Sequence, residues 1–302
     1  MPDRFEGVKQ IVSTVLFAEP ASKHSSLGVG GNFSCLAFPA TEEELIRLLI
    51  FVRNEGFPFH IVGNLTNTIV ADAGVDGVVI SLKGMAGITV EESDDAGQTL
   101  FIRAGTPLRD LVSWCANEGL TGAEFCTGIP GTFGGAVVMN AGAFGGEIKD
   151  IIVKVRLLNA AGLLAEIPRE RLFFGYRSFS AGEYSIVLGA TIRVHKGDSE
   201  TIKREIARIV LLRREKHPLE FRNAGSVFKN ANGIVVGRLV EELGLKGTRI
   251  GDAQISPKHG NFIVNLGKAS ANDVVALMEL VKEKARRCEG IELEAEVKLM
   301  GF

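Results

Sequence analysis

The sequence predicts an α+β fold with more than one domain, and three observations support this prediction. The chain has 302 residues, which is more than one small hydrophobic core usually holds. Segments with the apolar spacing of helices are interspersed with short apolar segments typical of strands. The 36 glycines cluster between these segments, where they punctuate regular structure, at 28–31, 63–87, 128–146 and 233–260.

The N-terminal part predicts a helix followed by two strands. Thr41 and Glu44 have the spacing of a capping box at the start of a helix. The apolar face of this helix consists of Leu45, Leu48, Leu49 and Val52. Residues 57–62 then predict a buried strand that runs into Gly63, and residues 78–82 predict a second strand.

The middle of the chain is richer in strands. A helix is predicted from Thr106-Pro107 to about Glu118, because proline is favoured in the first helical turn. Residues 159–162 predict a turn rich in small residues. Four strands are expected around these elements, at 88–92, 99–104, 151–158 and 185–194.

The last third predicts three helices and a final strand. The helices span about 200–215, 234–243 and 272–288, and Ser270 with Asp273 has the capping spacing for the last of them. In 291–299 apolar residues alternate with three glutamates and a lysine, which predicts a strand with one polar face. We place domain boundaries near 84 and 197, giving segments 1–84, 85–197 and 198–302.

Composition excludes several classes of protein. A formal net charge of −2 argues against a nucleic-acid-binding protein. No N-terminal segment resembles a signal peptide and no window has 18 uninterrupted apolar residues, so we expect a cytoplasmic protein without a membrane span. The four cysteines are widely spaced, and His259 has no second ligand at i+3 or i+4, so no zinc or other metal site is expected.

Two glycine segments are candidates for ligand binding. The turn Gly63-Asn64-Leu65-Thr66-Asn67 follows a predicted strand and could cradle a pyrophosphate with its backbone N–H groups, although a turn this short is equally consistent with no ligand. The segment 128–147 is more specific, because so many glycines cost backbone entropy and allow a ligand to approach the main chain. Neither segment fits the Rossmann or the P-loop pattern.

The segment GIPGTFGGAVVMNAGAFGGEI at 128–148 resembles the flavin-binding signature of the UDP-N-acetylenolpyruvoylglucosamine reductase family. The resemblance runs from about residue 22 to the end of the chain. It includes further segments in the family's order, at 63–67, 174–177, 224–230, 244–251, 258–265 and 293–297. It implies a two-part FAD-binding region of the vanillyl-alcohol-oxidase/PCMH type, followed by a smaller α+β substrate-binding domain.

The resemblance also implies a reaction and its cofactors. Members of the family reduce UDP-N-acetylglucosamine enolpyruvate to UDP-N-acetylmuramate in peptidoglycan precursor synthesis, with electrons that pass from NADPH to FAD. The enolpyruvyl double bond is conjugated to a carboxylate, so reduction requires a hydride source, donors for the carboxylate and a proton donor at the α-carbon. Since no side chain delivers hydride, a cofactor must do so.

By the same resemblance, individual positions take family roles. Ser226 matches the proton donor, and Arg177 and Glu296 match the other two catalytic positions. From periodicity alone Glu296 is one of three glutamates on a polar strand face, and Ser226 is a residue type common in turns. Substrate-binding positions are Tyr176, Asn230, Lys246 and His259. Cofactor-binding positions are Gly63, Asn64, Leu65, Thr66, Asn67, Gly128, Ile129, Pro130, Gly131, Thr132, Gly134, Ala141 and Gly142.

The chain departs from the family pattern at a few positions. Leu65 and Thr66 stand where the family has Gly and Ser, Gly28 where it commonly has Arg, and Phe144 where Tyr is common. A positive φ at Leu65 would store strain of about 1–3 kcal/mol, which glycine would relieve. Two alternatives remain open: a flavin-linked oxidase of the same superfamily, and a UDP-sugar-binding relative whose FAD binding is weakened or lost.

Overall fold

The structure is a computed structural model that describes residues 2–230 and 233–302. It is an α+β fold, as the sequence predicts. The α-helices of the described residues are α1 (Glu42–Asn54), α2 (Leu108–Asn117), α3 (Phe133–Val138), α4 (Ser199–Lys216), α5 (Val236–Glu242) and α6 (Ala271–Glu289). No helix in this part of the chain is both long and apolar enough to cross a membrane.

The strands are short, and most of them lie in antiparallel sheets. In chain order they are β1 (Val15–Pro20), β2 (Asn32–Ala37), β3 (Phe59–Val62), β4 (Thr68–Val70), β5 (Val75–Ser81), β6 (Ile88–Ser93), β7 (Gly97–Arg103), β8 (Leu120–Thr121), β9 (Gly142–Ala143), β10 (Gly146–Glu147), β11 (Ile152–Asn159), β12 (Leu164–Pro168), β13 (Phe173–Gly175), β14 (Ser178–Ser180), β15 (Tyr184–Lys196), β16 (Arg222–Ser226), β17 (Arg249–Ile250), β18 (Ala253–Ile255), β19 (Phe262–Asn265) and β20 (Lys298–Met300).

The chain divides into two compact units, and neither of them is one continuous segment. Unit 1 contains residues 1–16, 35–64 and 77–212, and unit 2 contains residues 17–34, 65–76 and 213–302. The functional segments expected from the sequence, with boundaries near 84 and 197, remain a prediction. The two units are described separately below.

Unit 1 is built around a six-stranded sheet with the order β12-β11-β15-β7-β6, and β8 pairs with β15. All the pairings are antiparallel, and Ala190 of β15 lies opposite Val155 on one side and Ile102 on the other. These three side chains are buried in one core with apolar residues of α2 and α3. Within unit 1, β3 also pairs in parallel with β5 through residues 59–62 and 78–81.

Unit 2 has its own sheet and its own core. Its antiparallel sheet has the order β16-β19-β18-β17, and β4 pairs in parallel with β20. The apolar face of α6, with Val274, Leu277 and Val281, is buried with residues of the sheet. Ser270 and Asp273 form the predicted capping box, and Gly290 ends α6 at a φ of 66°. The last helix was therefore predicted correctly from its N-terminal cap.

Two of the differences from the sequence prediction are a strand that is shorter than expected and a helix that was not expected. The predicted strand at 291–299 is a strand only at Lys298–Met300, and Leu299, expected on the apolar face, is 46% exposed. Ahead of it, Ala295 makes a single antiparallel bridge with Phe228. The alternation of apolar and charged residues in 291–299 therefore does not correspond to a continuous β-strand. Helix α3 was not predicted, because it contains Gly134 and Gly135, which are unfavourable in helices.

Candidate active site

The two glycine turns of unit 1 lie against each other. A Cβ atom added at Gly63, at the end of β3, would be 2.5 Å from the hydroxyl oxygen of Thr132. Gly128 and Gly131 have φ values of 71° and 125°, which residues with a side chain rarely adopt. Glycine is therefore favoured at these points. The structure therefore brings Gly63 and Asn64 together with the 128–132 turn in one unit.

A buried hydroxyl next to this turn lacks a partner. Thr127 is 6% exposed, and its Oγ1 makes no hydrogen bond to any described residue. Buried polar groups are nearly always paired, so an orphan hydroxyl beside a glycine turn is typical of a ligand site. The close turns and this hydroxyl fit a flavin nucleotide that lies along the main chain. Sequence reasoning missed Thr127, because its isolation depends on the packing around it.

The second half of the first turn belongs to unit 2. Leu65 has a φ of 50° and is 6% exposed, so the strained conformation expected for it is present and its side chain is buried. Its carbonyl oxygen accepts a hydrogen bond from the Ser26 N–H at 3.4 Å. Asn67 donates from Nδ2 to the carbonyl oxygen of Glu296 at 3.0 Å. A predicted cofactor residue thus contacts a predicted catalytic residue.

Arg177 lies at the tip of a hairpin in unit 1. Strands β13 and β14 pair with Gly175 opposite Ser178, so that Tyr176 and Arg177 form the turn. Arg177 has a left-handed φ of 52°, which costs an L-residue about 1–2 kcal/mol. Its Nη2 donates to the Gly142 carbonyl at 3.3 Å, and its guanidinium lies 4.9 Å from the centre of the Tyr176 ring. Arg177 therefore contacts the glycine segment directly.

A cavity of about 380 Å³ opens beside Arg177. Its lining includes the β9–β10 hairpin, whose turn residues Phe144 and Gly145 have φ values of 53° and 92°, as a tight two-residue turn requires. Charged side chains of both signs line the rest of it, namely Arg177, Lys149, Glu147 and Asp150. The predicted positions Gly142, Tyr176 and Arg177 thus share one cavity.

Ser226 and Glu296 lie on adjacent main-chain segments of unit 2. Strand β16 ends at Ser226, and the next carbonyl, of Val227, accepts a hydrogen bond from the Glu296 N–H at 2.8 Å. The Lys229 N–H donates to the Glu294 carbonyl at 2.9 Å. The structure therefore brings together two of the three predicted catalytic residues through their backbones, while Arg177 belongs to unit 1.

The three glutamates do not share one strand face, contrary to the expectation from periodicity. Glu292 is exposed and accepts two hydrogen bonds from Arg286. The Glu294 carboxylate binds the Lys229 ammonium at 2.5 Å. Glu296 is partly buried. Because no ladder spans 291–297, each glutamate has its own surroundings, which explains why alternation could not separate them.

The predicted substrate residues Asn230, Lys246 and His259 lie in unit 2 and contact its polar groups. The Asn230 side-chain oxygen accepts from the Val236 N–H at 2.9 Å, and Lys246 pairs with Glu241 at 2.9 Å. His259 Nδ1 accepts from the Asn261 N–H at 3.2 Å. Since Nδ1 is an acceptor here, the proton of the neutral ring resides on Nε2.

His217 is a neighbour of this group that sequence reasoning missed. Its ring lies edge-on to that of His259, with centroids 5.8 Å apart, and it also contacts Phe262. Burial, reinforced by Arg213, lowers the pKa of His217 to about 4. Burial likewise lowers the pKa of His259. Both rings are therefore neutral near pH 7, and the cationic side chains near them favour this neutral form.

The space that a side chain at Gly28 would fill is taken by Arg222, which also belongs to unit 2. A Cβ atom at Gly28 would lie 2.5 Å from Nη1 of Arg222, and Gly28 has a φ of 71°. The Arg222 side chain therefore covers the Gly28 backbone. A guanidinium is present at this place even though residue 28 itself is glycine.

Comparisons with known proteins agree with this arrangement. A family model of an FAD binding domain matches residues 33–167, and the model of the UDP-N-acetylenolpyruvoylglucosamine reductase C-terminal domain matches residues 217–300. The predicted order, an FAD-binding region followed by a smaller α+β domain, is thus confirmed.

Relatives match over nearly the whole chain. The UDP-N-acetylenolpyruvoylglucosamine reductase of Syntrophus aciditrophicus is 47% identical over 98% of this chain and 95% of its own length. That of Caldanaerobacter subterraneus is 39% identical over 94% of this chain and 92% of its own. The crystal structure of the Thermus caldophilus reductase superposes with a TM-score of 0.78 at 35% identity, covering 95% of this chain and 98% of that one. The chain belongs to the UDP-N-acetylenolpyruvoylglucosamine reductase family.

Proposed function

We propose that this protein reduces UDP-N-acetylglucosamine enolpyruvate to UDP-N-acetylmuramate, with FAD as cofactor and NADPH as reductant, in the synthesis of peptidoglycan precursors. The observation that supports this most strongly is the 47% identity to a named reductase over 98% of the chain. The geometry of unit 1 adds support, because its two glycine turns lie close together beside the unpaired hydroxyl of Thr127. We place this activity in the cytoplasm.

We propose that FAD is held by the two glycine turns. The residues concerned are Gly63 to Asn67, Gly128 to Thr132, Gly134, Ala141 and Gly142. Their support is the close approach of Gly63 to Thr132 and the orphan hydroxyl of Thr127. When held there, FAD would supply hydride chemistry at the double bond, with NADPH as the reductant. The segments 1–84 and 85–197 would then serve the cofactor, and 198–302 the substrate.

Arg177 is assigned to the substrate carboxylate. A guanidinium pairs with a carboxylate through two parallel hydrogen bonds. During reduction negative charge develops at the α-carbon and spreads into this carboxylate, so a fixed cation stabilises the transition state more than the ground state. The left-handed backbone of Arg177 supports this role, because strained residues are retained where the surroundings and the function require them.

Ser226 is assigned as the proton donor to the α-carbon, and Glu296 as its partner. A serine hydroxyl is a weak acid, but an enolate-like carbon is a much stronger base, so the transfer runs downhill. The backbone link between Val227 and Glu296 holds the two residues on neighbouring segments. Glu296 would orient the hydroxyl or restore its proton through a water molecule.

Tyr176, Asn230, Lys246 and His259 are assigned to the substrate. Lys246 supplies positive charge for a diphosphate, and His259 supplies a neutral N–H donor from Nε2. Asn230 uses its carbonyl oxygen for the Val236 N–H, which directs its amide N–H groups to other acceptors. This set suits a nucleoside diphosphate, whose oxygens accept hydrogen bonds without requiring a charged histidine.

The experiment that tests this proposal separates the two half-reactions. Purified protein should show a flavin spectrum, with about one FAD per chain released by acid, that NADPH bleaches and the enolpyruvyl substrate restores. Ser226→Ala should still be bleached by NADPH but lose turnover by about 10²–10⁴-fold, since only the proton transfer is removed. A colourless protein that binds UDP-sugars but takes up no FAD would instead favour the relative without flavin.

A further inference from the structure

The glycine segment contains a fully buried asparagine that no part of the proposed chemistry uses. Asn140 is 0% exposed and has a φ of 39°, in the left-handed region. Its amide nitrogen donates to the Gly175 carbonyl at 3.0 Å and to the Glu147 carboxylate at 3.0 Å. Its oxygen accepts from the Lys149 N–H at 3.1 Å. One side chain thus connects the glycine segment to the hairpin that carries Arg177.

Glu147, which accepts a hydrogen bond from Asn140, adds a negative charge to this set of contacts. Its carboxylate forms an ion pair with the Lys149 ammonium and accepts from Asn140. Hydrogen bonding by Lys149 and Asn140, with the nearby positive charge of Arg177, lowers the pKa of Glu147. Glu147 therefore stays ionised, and it lines the same cavity as the guanidinium.

These contacts address a specific difficulty of the hairpin. Arg177 follows Gly175 by two residues and has a strained backbone, and such conformations persist only where their surroundings fix them. The Gly175 carbonyl that Asn140 binds is in the last residue of β13 before the turn. Glu147 supplies an opposite charge near the guanidinium, whose Nη2 also donates to the Gly142 carbonyl.

We propose that Asn140 and Glu147 are positioning residues for Arg177: Asn140 fixes the hairpin and Glu147 sets the direction of the guanidinium. This inference rests on the proposed function of Arg177. It predicts that removing the amide N–H of Asn140 impairs substrate reduction through Arg177 and leaves flavin reduction intact.

The test is a double-mutant cycle. In Asn140→Asp the amide, which donates two hydrogen bonds, is replaced by a carboxyl group that donates at most one, so the Gly175 carbonyl or the Glu147 carboxylate loses its donor. The kcat for the enolpyruvyl substrate should therefore fall about 10–100-fold, as for groups that orient a site residue. NADPH should bleach the flavin within about twofold of the wild-type rate. Added to Arg177→Lys, Asn140→Asp should cost less than about threefold more, because both changes disable the same group.

Asn159→Asp is the matched control. Asn159 is also buried, at 3% exposure, and its side chain also makes three hydrogen bonds, one of them to the carboxylate of Glu183. Both variants should lose stability to a similar extent, but Asn159→Asp should keep its turnover and be additive with Arg177→Lys. Equal loss of turnover in the two variants, or additivity of Asn140→Asp with Arg177→Lys, would overturn the proposal.

Two further measurements keep the proposal testable if Asn140→Asp folds poorly or the assay reaction fails. Glu147→Gln removes only the charge of that side chain. In a double-mutant cycle with Arg177→Lys it should also be non-additive, with a smaller loss of kcat than Asn140→Asp. Hydrogen exchange of the amides at 173–180 should accelerate in Asn140→Asp and not in Asn159→Asp, whether or not the protein turns over substrate. Inactive wild-type protein with this exchange pattern would refute the proposed function alone, whereas unchanged exchange would refute the positioning.

Discussion

The surroundings of Arg177 and those of Ser226 and Glu296 are built in different ways. Around Arg177 the fixing contacts come from side chains, above all the buried amide of Asn140. Around Ser226 and Glu296 most of them join main-chain groups: the Val227 carbonyl accepts from the Glu296 N–H, and the Glu294 carbonyl accepts from the Lys229 N–H. One side chain also contributes, because Asn67 Nδ2 donates to the Glu296 carbonyl. The buried Asn261 side chain adds hydrogen bonds to both backbone groups of Phe228.

This difference indicates which substitutions should change the reactivity of the site without changing its geometry. Hydrogen bonds between backbone groups remain when a side chain is replaced. Variants of Ser226 or Glu296 should therefore change reactivity without displacing the main chain around them. Hydrogen bonds made by side chains are lost when those side chains are replaced. Variants around Arg177 should therefore change both the reactivity and the geometry of the site. The following predictions test this contrast, from the largest expected effect to the smallest.

Glu296→Gln should lower kcat by about 10²-fold or more while FAD content and melting temperature stay near wild type. The reason is that the amide keeps the shape and the Val227–Glu296 backbone bond but loses the charge. Steady-state NADPH oxidation with the enolpyruvyl substrate measures the effect, and acid-released FAD measures the flavin content.

Glu292→Gln is the control for this experiment. Glu292 is paired with Arg286 at the surface, and such pairs contribute no more than about 0.2–1 kcal/mol. Its activity should match wild type. If Glu292→Gln and Glu296→Gln were equally active, Glu296 would have no catalytic role. A loss of FAD in Glu296→Gln would show that the backbone frame is less robust than we infer.

Leu65→Gly should lower the free energy of unfolding by about 2 kcal/mol. Removing a buried leucine side chain costs about 2–5 kcal/mol, and relief of its left-handed backbone returns about 1–2 kcal/mol. Leu65→Ala loses packing but keeps the strain, so it should be less stable than Leu65→Gly by about 1 kcal/mol in urea unfolding. The reverse order would mean that the φ of 50° stores no strain.

His217 should make unit 2 sensitive to acid. Its pKa is about 4 in the folded chain and about 6.5 when unfolded, so the unfolded chain binds more protons between these values. Stability therefore falls as the pH drops from 6.5 to about 4 and is unaffected by this group above that window. After allowance for partial exposure we expect about 1–2 kcal/mol.

Urea unfolding of wild type and His217→Gln at pH 7.5 and pH 5 measures this effect. Because the carboxylates titrate alike in both proteins, the difference between the two pH dependences isolates the histidine. The variant should lose less stability on acidification than wild type does. Parallel losses would mean that His217 takes up its proton without penalty in the folded state.

Local signals in the sequence predicted much of the fold. Thr41 accepts the Glu44 N–H at 3.1 Å, and Ser270 caps α6, as their spacing indicates. Caps depend on contacts three residues apart and are therefore visible in a sequence. Helix α3 was not visible, because Gly134 is needed there for a tertiary reason: a Cβ would lie 2.7 Å from that of Ala104.

The candidate site was predictable only in part for a similar reason. Motif resemblance assigned Ser226, Arg177 and Glu296, and in the structure Ser226 and Glu296 lie on neighbouring segments. It could not assign Asn140, Thr127 or His217, because their significance lies in burial and in partners distant along the chain. The prediction that the glutamates of 291–297 share one strand face was wrong, because that segment makes isolated backbone contacts and forms no continuous strand.

The pairing of β4 with β20 has a consequence for the order of folding. Ile69 lies opposite Leu299, so this two-stranded sheet closes only when residues about 230 positions apart meet. Contacts so distant along the chain form late and slowly, since the entropy of the intervening chain must first be lost. During synthesis the turn at 65–67 would therefore stay incomplete while unit 1 folds. Refolding of unit 2 should be the slow phase in recovery from urea.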